Sequence, residues 1–281
     1  MSSSNESALS VVKSSKYWEV QVAQTEYRAR LVESWQIPPG ARVFEIGCGQ
    51  GDMTVLLAEV VGRDGHVTAA DIASPTYGSP LTLGQATDLL KASHLGNRID
   101  FCFNFEVLSP ASPFEDDAFD CVVFAHSSWY FESVEQLQET LRKVQPWARQ
   151  LCFAEWDLQP RSLDQVPHLL AVLIQGQVEA FKSASIANVR TPLTRDKVED
   201  FLAKAGWKVE SSNTLDVEAL QDADWEIKAC LDSSLADAEE LDLPVRFLAM
   251  LEGQVEILRQ IALPSGNHPL DTYSIVATRS A

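Results

Sequence analysis

Three glycines at alternate positions, directly after a short apolar run, constrain this chain most. The segment VFEIGCGQGDMT, residues 43–54, places Gly47, Gly49 and Gly51 between that run and a helical pattern. Glycine permits positive φ angles and the close approach of a ligand, and a helix N-terminus presents unpaired backbone N–H groups. The segment therefore predicts a strand–turn–helix unit that cradles a ligand.

Strand and helix patterns alternate through the first half of the chain. Apolar runs predict strands at 42–46, 66–72, 99–105, 119–125 and 151–156. Helical periods lie at 16–35, 52–61, 83–93 and 133–145. Strands separated by helical crossovers run parallel and are covered on both faces. We therefore expect an α/β fold: a Rossmann-like, seven-stranded, mostly parallel sheet with helices on both faces.

The second half predicts an α-helical cap that late insertions add to the sheet. Helical patterns at 169–181, 194–205, 216–232 and 243–262 surround strands at 207–211 and 272–278. The expected organisation is one domain with three parts. Residues 1–15 are a disordered, Ser-rich start, residues 16–160 a ligand-binding core with an N-terminal lid helix, and residues 161–281 the cap insertions and last strands.

A dinucleotide-binding turn is the main rival for the glycine segment. Its pattern requires a third glycine at position 52, where this chain has Asp52. That carboxylate would repel a pyrophosphate at the helix N-terminus. Glu45, just before the turn, favours a cationic ligand group such as an ammonium. The acidic residues thus argue against a dinucleotide.

The segment VFEIGCGQG resembles the first motif, E/D-x-G-x-G-x-G, of the class I S-adenosylmethionine-dependent methyltransferases. Asp71, at the end of the second strand, matches the acidic residue that binds the ribose hydroxyls in that family. The resemblance implies S-adenosyl-L-methionine as the cofactor. It also implies a cofactor-binding set consisting of Glu45, Gly47, Cys48, Gly49, Gly51, Asp71, Ile72, Asn104, Phe105, Ala125 and His126.

Asn104 and Phe105 depart from the family pattern, which usually has an acidic residue and a small one beside the adenine. The amide oxygen of Asn104 is expected to accept the adenine amino group. The backbone N–H of Phe105 is expected to reach a ring nitrogen. These two contacts are expectations from the resemblance alone.

His126 is the candidate general base, because it follows the fourth strand, where open α/β sheets place their ligands. The alternative is that its backbone lines the cofactor pocket while its side chain only packs. Aromatic residues at expected pocket or lid positions suit flat or cationic acceptors, although each is also a candidate core residue; they are Tyr17, Trp18, Tyr77, Trp129, Tyr130 and Trp156.

Several classes of target are disfavoured. The formal net charge of −18 and the lack of a basic stripe argue against nucleic acid. The segment after the fourth strand lacks the N/D-P-P-Y/F motif of enzymes that methylate nucleic-acid amines, and it lacks the carboxylates that hold a metal in catechol-type enzymes. We expect no metal, no membrane span and, since the five cysteines are scattered, free thiols in a cytoplasmic protein.

The expected activity is methyl transfer to an O, N or S atom of a small molecule by in-line displacement. Two alternatives stay open: a methyltransferase-like protein that uses the bound cofactor without redox chemistry for a rearrangement or cyclisation, and a non-enzymatic partner-binding subunit. The loop YGSPLTLGQATDLL and the first helix resemble small-molecule methyltransferases of filamentous fungi, which suggests secondary metabolism. The acceptor and the oligomeric state are left open by the sequence.

Overall fold

The structure, a computed structural model, describes residues 18–79, 81–110, 114–217 and 220–280. The strands are β1 (Arg42–Ile46), β2 (His66–Ala70), β3 (Ile99–Cys102), β4 (Phe119–Ala125), β5 (Ala148–Trp156), β6 (Trp207–Leu215) and β7 (Thr272–Arg279). The helices are α1 (Trp18–Trp35), α2 (Asp52–Val61), α3 (Leu83–Lys91), α4 (Val134–Val144), α5 (Val166–Glu179), α6 (Arg195–Lys204), α7 (Asp222–Glu239) and α8 (Val245–Ile261). Residues 1–15, for which the sequence predicts disorder, lie outside the described residues.

All seven strands form one sheet in the order β3-β2-β1-β4-β5-β7-β6. Strands β1 to β5 pair in parallel, whereas β7 runs antiparallel to both β5 and β6. The predicted fold class is confirmed. The strand order reverses between β1 and β4, and this is the position at which open α/β sheets bind ligands beyond the carboxyl ends of their strands.

Two strands end earlier than predicted, both at this ligand edge. β2 stops before Asp71, whose carboxylate accepts the backbone N–H of Ala73 at 2.8 Å and so turns the chain. β3 stops before Asn104, which adopts a φ of 53°. A positive φ cannot continue a strand. The site therefore begins where the strand pattern was expected to continue.

Separate apolar cores cover the two faces of the sheet. On one face α1 and α2 contribute Leu31, Trp35 and Leu57, all fully buried. On the other face the buried stripe of α4 packs with residues of α6 and the sheet, including Leu141, Phe44 and Trp207. Because helices cover both faces, we expect a ligand to bind at the strand ends.

A third apolar cluster joins α5, α7 and α8, the helices that the sequence analysis assigns to the cap. Ala171 and Ile174 of α5 lie in this cluster, while Val172, on another face of the same helix, lies in a sheet core. α5 therefore belongs to the sheet and to the cap at once.

The second half of α1 is part of the core, since Tyr27, Leu31 and Trp35 are buried. Nearer its start, the amide of Gln24 donates to the carboxylate of Asp222 on α7 at 2.8 Å. α1 thus connects the sheet to the cap. A lid motion of its first turns stays a proposal.

Within the described residues, no helix combines the length and apolarity needed to cross a membrane. The five cysteines are free thiols, and the sulfurs of Cys121 and Cys152 lie 3.4 Å apart in the core. In the same part of the chain, no three His, Cys, Asp or Glu side chains are grouped so as to hold a metal ion.

Candidate cofactor and acceptor site

The glycine turn is tied to the end of β2 by backbone hydrogen bonds. The N–H groups of Gly47 and Cys48 both donate to the carbonyl oxygen of Ala70, at 2.9 and 3.0 Å. The N–H of Gly49 donates to Oδ2 of Asp71 at 2.8 Å. The turn and the acidic residue that the sequence singled out are therefore one unit, with Asp71 fixing the middle of the loop.

The three glycines differ in what surrounds them, although all have positive φ angles between 52° and 89°. A Cβ on Gly47 would lie 2.5 Å from Cβ of Ser127, and one on Gly51 would lie 2.4 Å from Leu90. A Cβ on Gly49 would meet nothing within 4 Å. Gly47 and Gly51 hold the loop against the protein, whereas Gly49 faces open space.

The Asp71 carboxylate has room for further donors. Oδ1 accepts the N–H of Ala73 and Oδ2 that of Gly49, both at 2.8 Å. A carboxylate accepts about four hydrogen bonds, so each oxygen keeps a free lone pair. The vicinal hydroxyls of a ribose suit such an acceptor pair. The residues present therefore fit the ribose of the expected cofactor.

The expected role of Phe105 at the adenine is corrected by the structure. Its backbone N–H already donates to the carbonyl of Asp71 at 3.0 Å, and its ring packs in the aromatic cluster around Phe44. That N–H is not free for a ring nitrogen. Asn104 is exposed beside it, and Ile72 is 59% exposed. These two side chains remain candidates for the adenine.

Glu45 is buried on the face of β1 that α2 covers. Its Oε2 accepts the hydroxyl of Thr54 at 2.6 Å. Burial raises its carboxyl pKa to about 7, and the nearby carboxylates of Asp71 and Asp52 act in the same direction. A negative group so placed gains by having a cation beside it. Glu45 therefore fits the ammonium of the expected cofactor. Burial also raises the pKa of the Cys48 thiol, and the carboxylates of Glu45 and Asp71 act in the same direction.

His126 follows β4 and has an unusual backbone conformation, with a φ of 51°. Its Nδ1 lies 3.1 Å from Oε1 of Glu155, and its Nε2 lies 2.5 Å from the hydroxyl of Tyr27. Both ring nitrogens are thus engaged within the protein. The imidazole has no free nitrogen for an acceptor unless one of these contacts takes part in the transfer.

Glu155, Tyr27 and Thr272 are site residues that the sequence patterns did not reveal. Tyr27 was part of an apolar helical stripe and Thr272 the start of a strand. Glu155 carried the one usable signal, because it is a carboxylate inside the apolar run LCFAEW at the ligand end of a strand. Such a residue is rarely buried without a partner.

The aromatic residues predicted at the pocket have different surroundings. Trp156 is buried, with its ring centroid 4.9 Å from that of His126. Trp129 is also buried, and its carbonyl accepts the N–H groups of Arg190 and Thr191. Tyr130 alone among these three is half exposed. Tyr17 lies outside the described residues, as does the side chain of Trp18.

Comparison with known proteins agrees with this geometry. A family model described as a methyltransferase domain matches residues 43–150. A second, described as protein-L-isoaspartate(D-aspartate) O-methyltransferase, matches residues 5–77. The first match begins at β1 and ends within β5, and it includes the turn, Asp71 and His126.

Individual relatives extend this likeness. Methyltransferase phomM of Diaporthe leptostromiformis is 30% identical over 217 residues, which is 63% of this chain and 55% of that protein. The ubiquinone/menaquinone biosynthesis C-methyltransferase UbiE of Brucella canis is 30% identical over 47% of this chain and 48% of its own length. The chain therefore spans about half the length of these curated relatives. The crystal structure of a cyclopropane-fatty-acyl-phospholipid synthase-like protein from Lactobacillus casei is 37% identical, with a TM-score of 0.83 over 93% of this chain and 92% of that one.

Proposed function

This chain belongs to the class I S-adenosylmethionine-dependent methyltransferases, and we propose that it transfers the cofactor's methyl group to an O, N or S atom of a small molecule. The single observation that carries the proposal is the unit formed by Gly49 and Asp71. One glycine of the turn faces open space, and beside it a carboxylate keeps lone pairs free. Together the two features place an acceptor of hydroxyl groups beside an open space, as a bound ribose requires.

When bound, the cofactor supplies a methyl group on a positively charged sulfur, which is already reactive toward an electron pair. The protein's share of the work is therefore to align the two reactants and to exclude water. The turn holds one end of the site, and Glu45 places a negative charge beneath it. The end of β4, with Ala125 and His126, forms the side at which the acceptor enters.

Carbon is a second candidate for the acceptor atom. The name of the Brucella canis relative describes a C-methyltransferase, and that of the Lactobacillus casei structure a cyclopropane-fatty-acyl-phospholipid synthase-like protein. Methyl transfer to carbon also requires removal of a proton, as does transfer to a hydroxyl or a thiol. Carbon nucleophiles are therefore included among the small molecules to be tested as methyl acceptors.

Calorimetric titration with S-adenosylmethionine and S-adenosylhomocysteine tests the proposal first. We expect both to bind with one site per chain. Formation of S-adenosylhomocysteine is then measured with a panel of phenols, amines, thiols and enolisable carbonyl compounds. Absence of cofactor binding would contradict the proposal and favour a partner-binding subunit. Binding with substrate turnover but no S-adenosylhomocysteine would favour a rearrangement or cyclisation.

Glu45→Gln separates the charge of this side chain from its shape. Because the folded pKa of about 7 lies above the usual 4.5, the stability that the neutral carboxyl contributes is present below pH 4.5 and is lost as the pH rises through 7. We expect the variant without cofactor to be more stable than wild type by about 1–3 kcal/mol at pH 8, and equal to it near pH 4.5. Thermal unfolding at the two pH values measures this.

The same substitution is expected to weaken S-adenosylmethionine binding about tenfold, since an ammonium loses its charged partner. Binding to wild type at pH 7 should release protons from Glu45, which calorimetry in buffers of different ionisation enthalpy detects. Equal proton release by wild type and variant would remove Glu45 from the cofactor site.

A further inference from the structure

The buried network around His126 contains more than a histidine and its acidic partner. Tyr27 comes from α1, His126 from the end of β4, Glu155 from β5 and Thr272 from the start of β7. Because β7 is antiparallel to β5, Thr272 pairs with Trp156 and lies at the carboxyl ends of the parallel strands. Four elements therefore bring polar groups together at the ligand edge of the sheet.

Each carboxylate oxygen of Glu155 has two hydrogen-bonding partners. Oε1 accepts the N–H of Trp156 at 3.1 Å and faces Nδ1 of His126 at the same distance. Oε2 accepts the N–H of Ser128 at 3.2 Å and its hydroxyl at 2.7 Å. With all its neighbours donating, Glu155 accepts from Nδ1–H, and this fixes the tautomer of His126. The lone pair of the neutral ring is therefore on Nε2.

The hydroxyl of Tyr27 lies 2.5 Å from that Nε2 and 2.8 Å from Oγ1 of Thr272. The tyrosine hydroxyl can turn toward either neighbour, so the network has two arrangements. In one, Tyr27 donates to the neutral ring of His126 in place of Thr272. In the other, the charged ring donates to Tyr27, which donates to Thr272. The Tyr27 proton therefore has an acceptor whether or not the ring is charged.

We propose that Tyr27 is a further catalytic residue, whose hydroxyl passes the acceptor's proton to His126. This inference rests on the proposed function. An acceptor cannot bond either ring nitrogen of His126 directly. Nδ1 is bonded to Glu155, whose oxygens have no free lone pair, and Nε2 is bonded to Tyr27. The tyrosine oxygen makes two of its three possible hydrogen bonds within the protein, which leaves one unfilled. Tyr27 is 3% exposed, so the proposal requires that acceptor binding opens a path to this oxygen.

The proton that leaves the acceptor stays within the network. The acceptor's proton moves to the oxygen of Tyr27 while the tyrosine's own proton moves to Nε2 of His126. Tyr27 ends neutral, His126 ends as an imidazolium, and the Glu155 carboxylate carries the matching negative charge. Burial raises the pKa of Tyr27, which disfavours a tyrosinate intermediate. The proton transfer to Tyr27 and the transfer from Tyr27 to His126 are therefore coupled.

Other charged groups near the network do not replace this route. Arg28 of α1 pairs with Asp52 at 3.6 Å, and Asp222 of α7 accepts from Gln24. His168 of α5 lies behind Trp156 and stays neutral, because burial lowers its pKa to about 3. Tyr130 follows β4, and the partial burial of its half-exposed side chain, together with the carboxylates of Glu155 and Glu226, raises the pKa of its hydroxyl. Each is engaged elsewhere or uncharged at neutral pH.

A ¹⁵N NMR titration of His126 in the full chain without cofactor tests the hydroxyl relay. Tyr27→Phe removes the oxygen at Nε2, and we expect the titration midpoint to fall by about 1, a tenfold loss of proton affinity. Thr272→Val tests the relay more specifically, because Thr272 bonds Tyr27 and is connected to His126 through the Tyr27 hydroxyl. It should lower the midpoint in the same direction, because the Tyr27 proton loses its second acceptor.

Ser274→Ala is the matched control. It also lies on β7 and also removes a hydroxyl bonded to α1, at Ser34, but it does not enter the network. An unchanged midpoint is expected. A midpoint that stays in place in both Tyr27→Phe and Thr272→Val, or moves only in the former, would overturn the relay. If Tyr27→Phe does not fold, the near-isosteric Thr272→Val decides.

Kinetics with an acceptor identified in the panel provide the second readout. Tyr27→Phe should lower kcat about 100-fold with little change in KM, as expected for loss of proton transfer. A purely structural role would weaken binding of the cofactor as well. Failure to bind S-adenosylmethionine would overturn the proposed function and leave the NMR result standing, so the two failures are distinguishable.

Discussion

Asp71→Ala is expected to lower the affinity for S-adenosylmethionine by at least about 100-fold, since it removes charged hydrogen bonds worth about 1.5–3 kcal/mol each. Two effects combine. The carboxylate is the proposed acceptor for the ribose hydroxyls, and it also holds the N–H groups of Gly49 and Ala73. Without it the turn loses the bond that fixes Gly49, while the bonds of Gly47 and Cys48 to Ala70 remain. Calorimetric titration measures the loss, and circular dichroism verifies the fold.

Two further variants make this result specific. Asp71→Asn keeps one carbonyl oxygen, so we expect an intermediate affinity. Asp88→Ala removes the same charge from the exposed side of α3 and should bind the cofactor as wild type does. If Asp71→Ala bound as tightly as Asp88→Ala, Asp71 would not contact the cofactor, and the site would have to lie elsewhere.

Alanine at the glycines of the turn should separate folding from binding. In Gly49→Ala the new Cβ meets no protein atom, and the left-handed φ of 52° costs about 1 kcal/mol for alanine. The variant should therefore fold. The Cβ would project into the space proposed for the cofactor, and affinity should fall by about 100-fold or more. In Gly47→Ala the Cβ would lie 2.5 Å from Ser127, so we expect a stability loss of about 2–4 kcal/mol.

Gly40→Ala is the control for backbone strain alone. Gly40 has a φ of 84°, and a Cβ there meets nothing within 4 Å, but it lies in the loop before β1, away from the ligand edge. Its thermal unfolding should resemble that of Gly49→Ala, with cofactor affinity unchanged. Tight binding by Gly49→Ala would show that the open side of the turn is not where the cofactor lies.

The parts of the fold that follow from local pattern were predictable from the sequence. β1, α2 and β4 occupy their predicted ranges, because an apolar run or a helical stripe ends there at a glycine or a polar turn. β6 is longer than predicted because β7 pairs along it as far as Leu215, and β5 begins earlier than predicted because Ala148 and Gln150 pair with β4. Pairing between distant strands leaves no local signal, and this limited the prediction.

The candidate site also has a part that local sequence predicts and a part that depends on contacts between distant segments. The glycine turn and Asp71 could be proposed as a cofactor site from the sequence because their residues are adjacent or carry a known spacing. Tyr27 and Thr272 were missed because one falls on the apolar stripe of a helix and the other at the start of a strand, and neither belongs to a motif. Their role arises only when α1 and β7 meet over His126. The Phe105 N–H was misassigned because a bond to the Asp71 carbonyl cannot be recognised from side-chain types.

The antiparallel placement of β7 has a consequence for the order in which the protein folds. β7 comes last among the strands in the chain, yet it lies between β5 and β6 in the sheet. Contacts between segments so far apart in sequence form slowly, because a long loop must close first. Thr272 reaches Tyr27 only when this strand docks. Refolding should therefore restore cofactor binding at β1 and β2 before it restores proton uptake at His126.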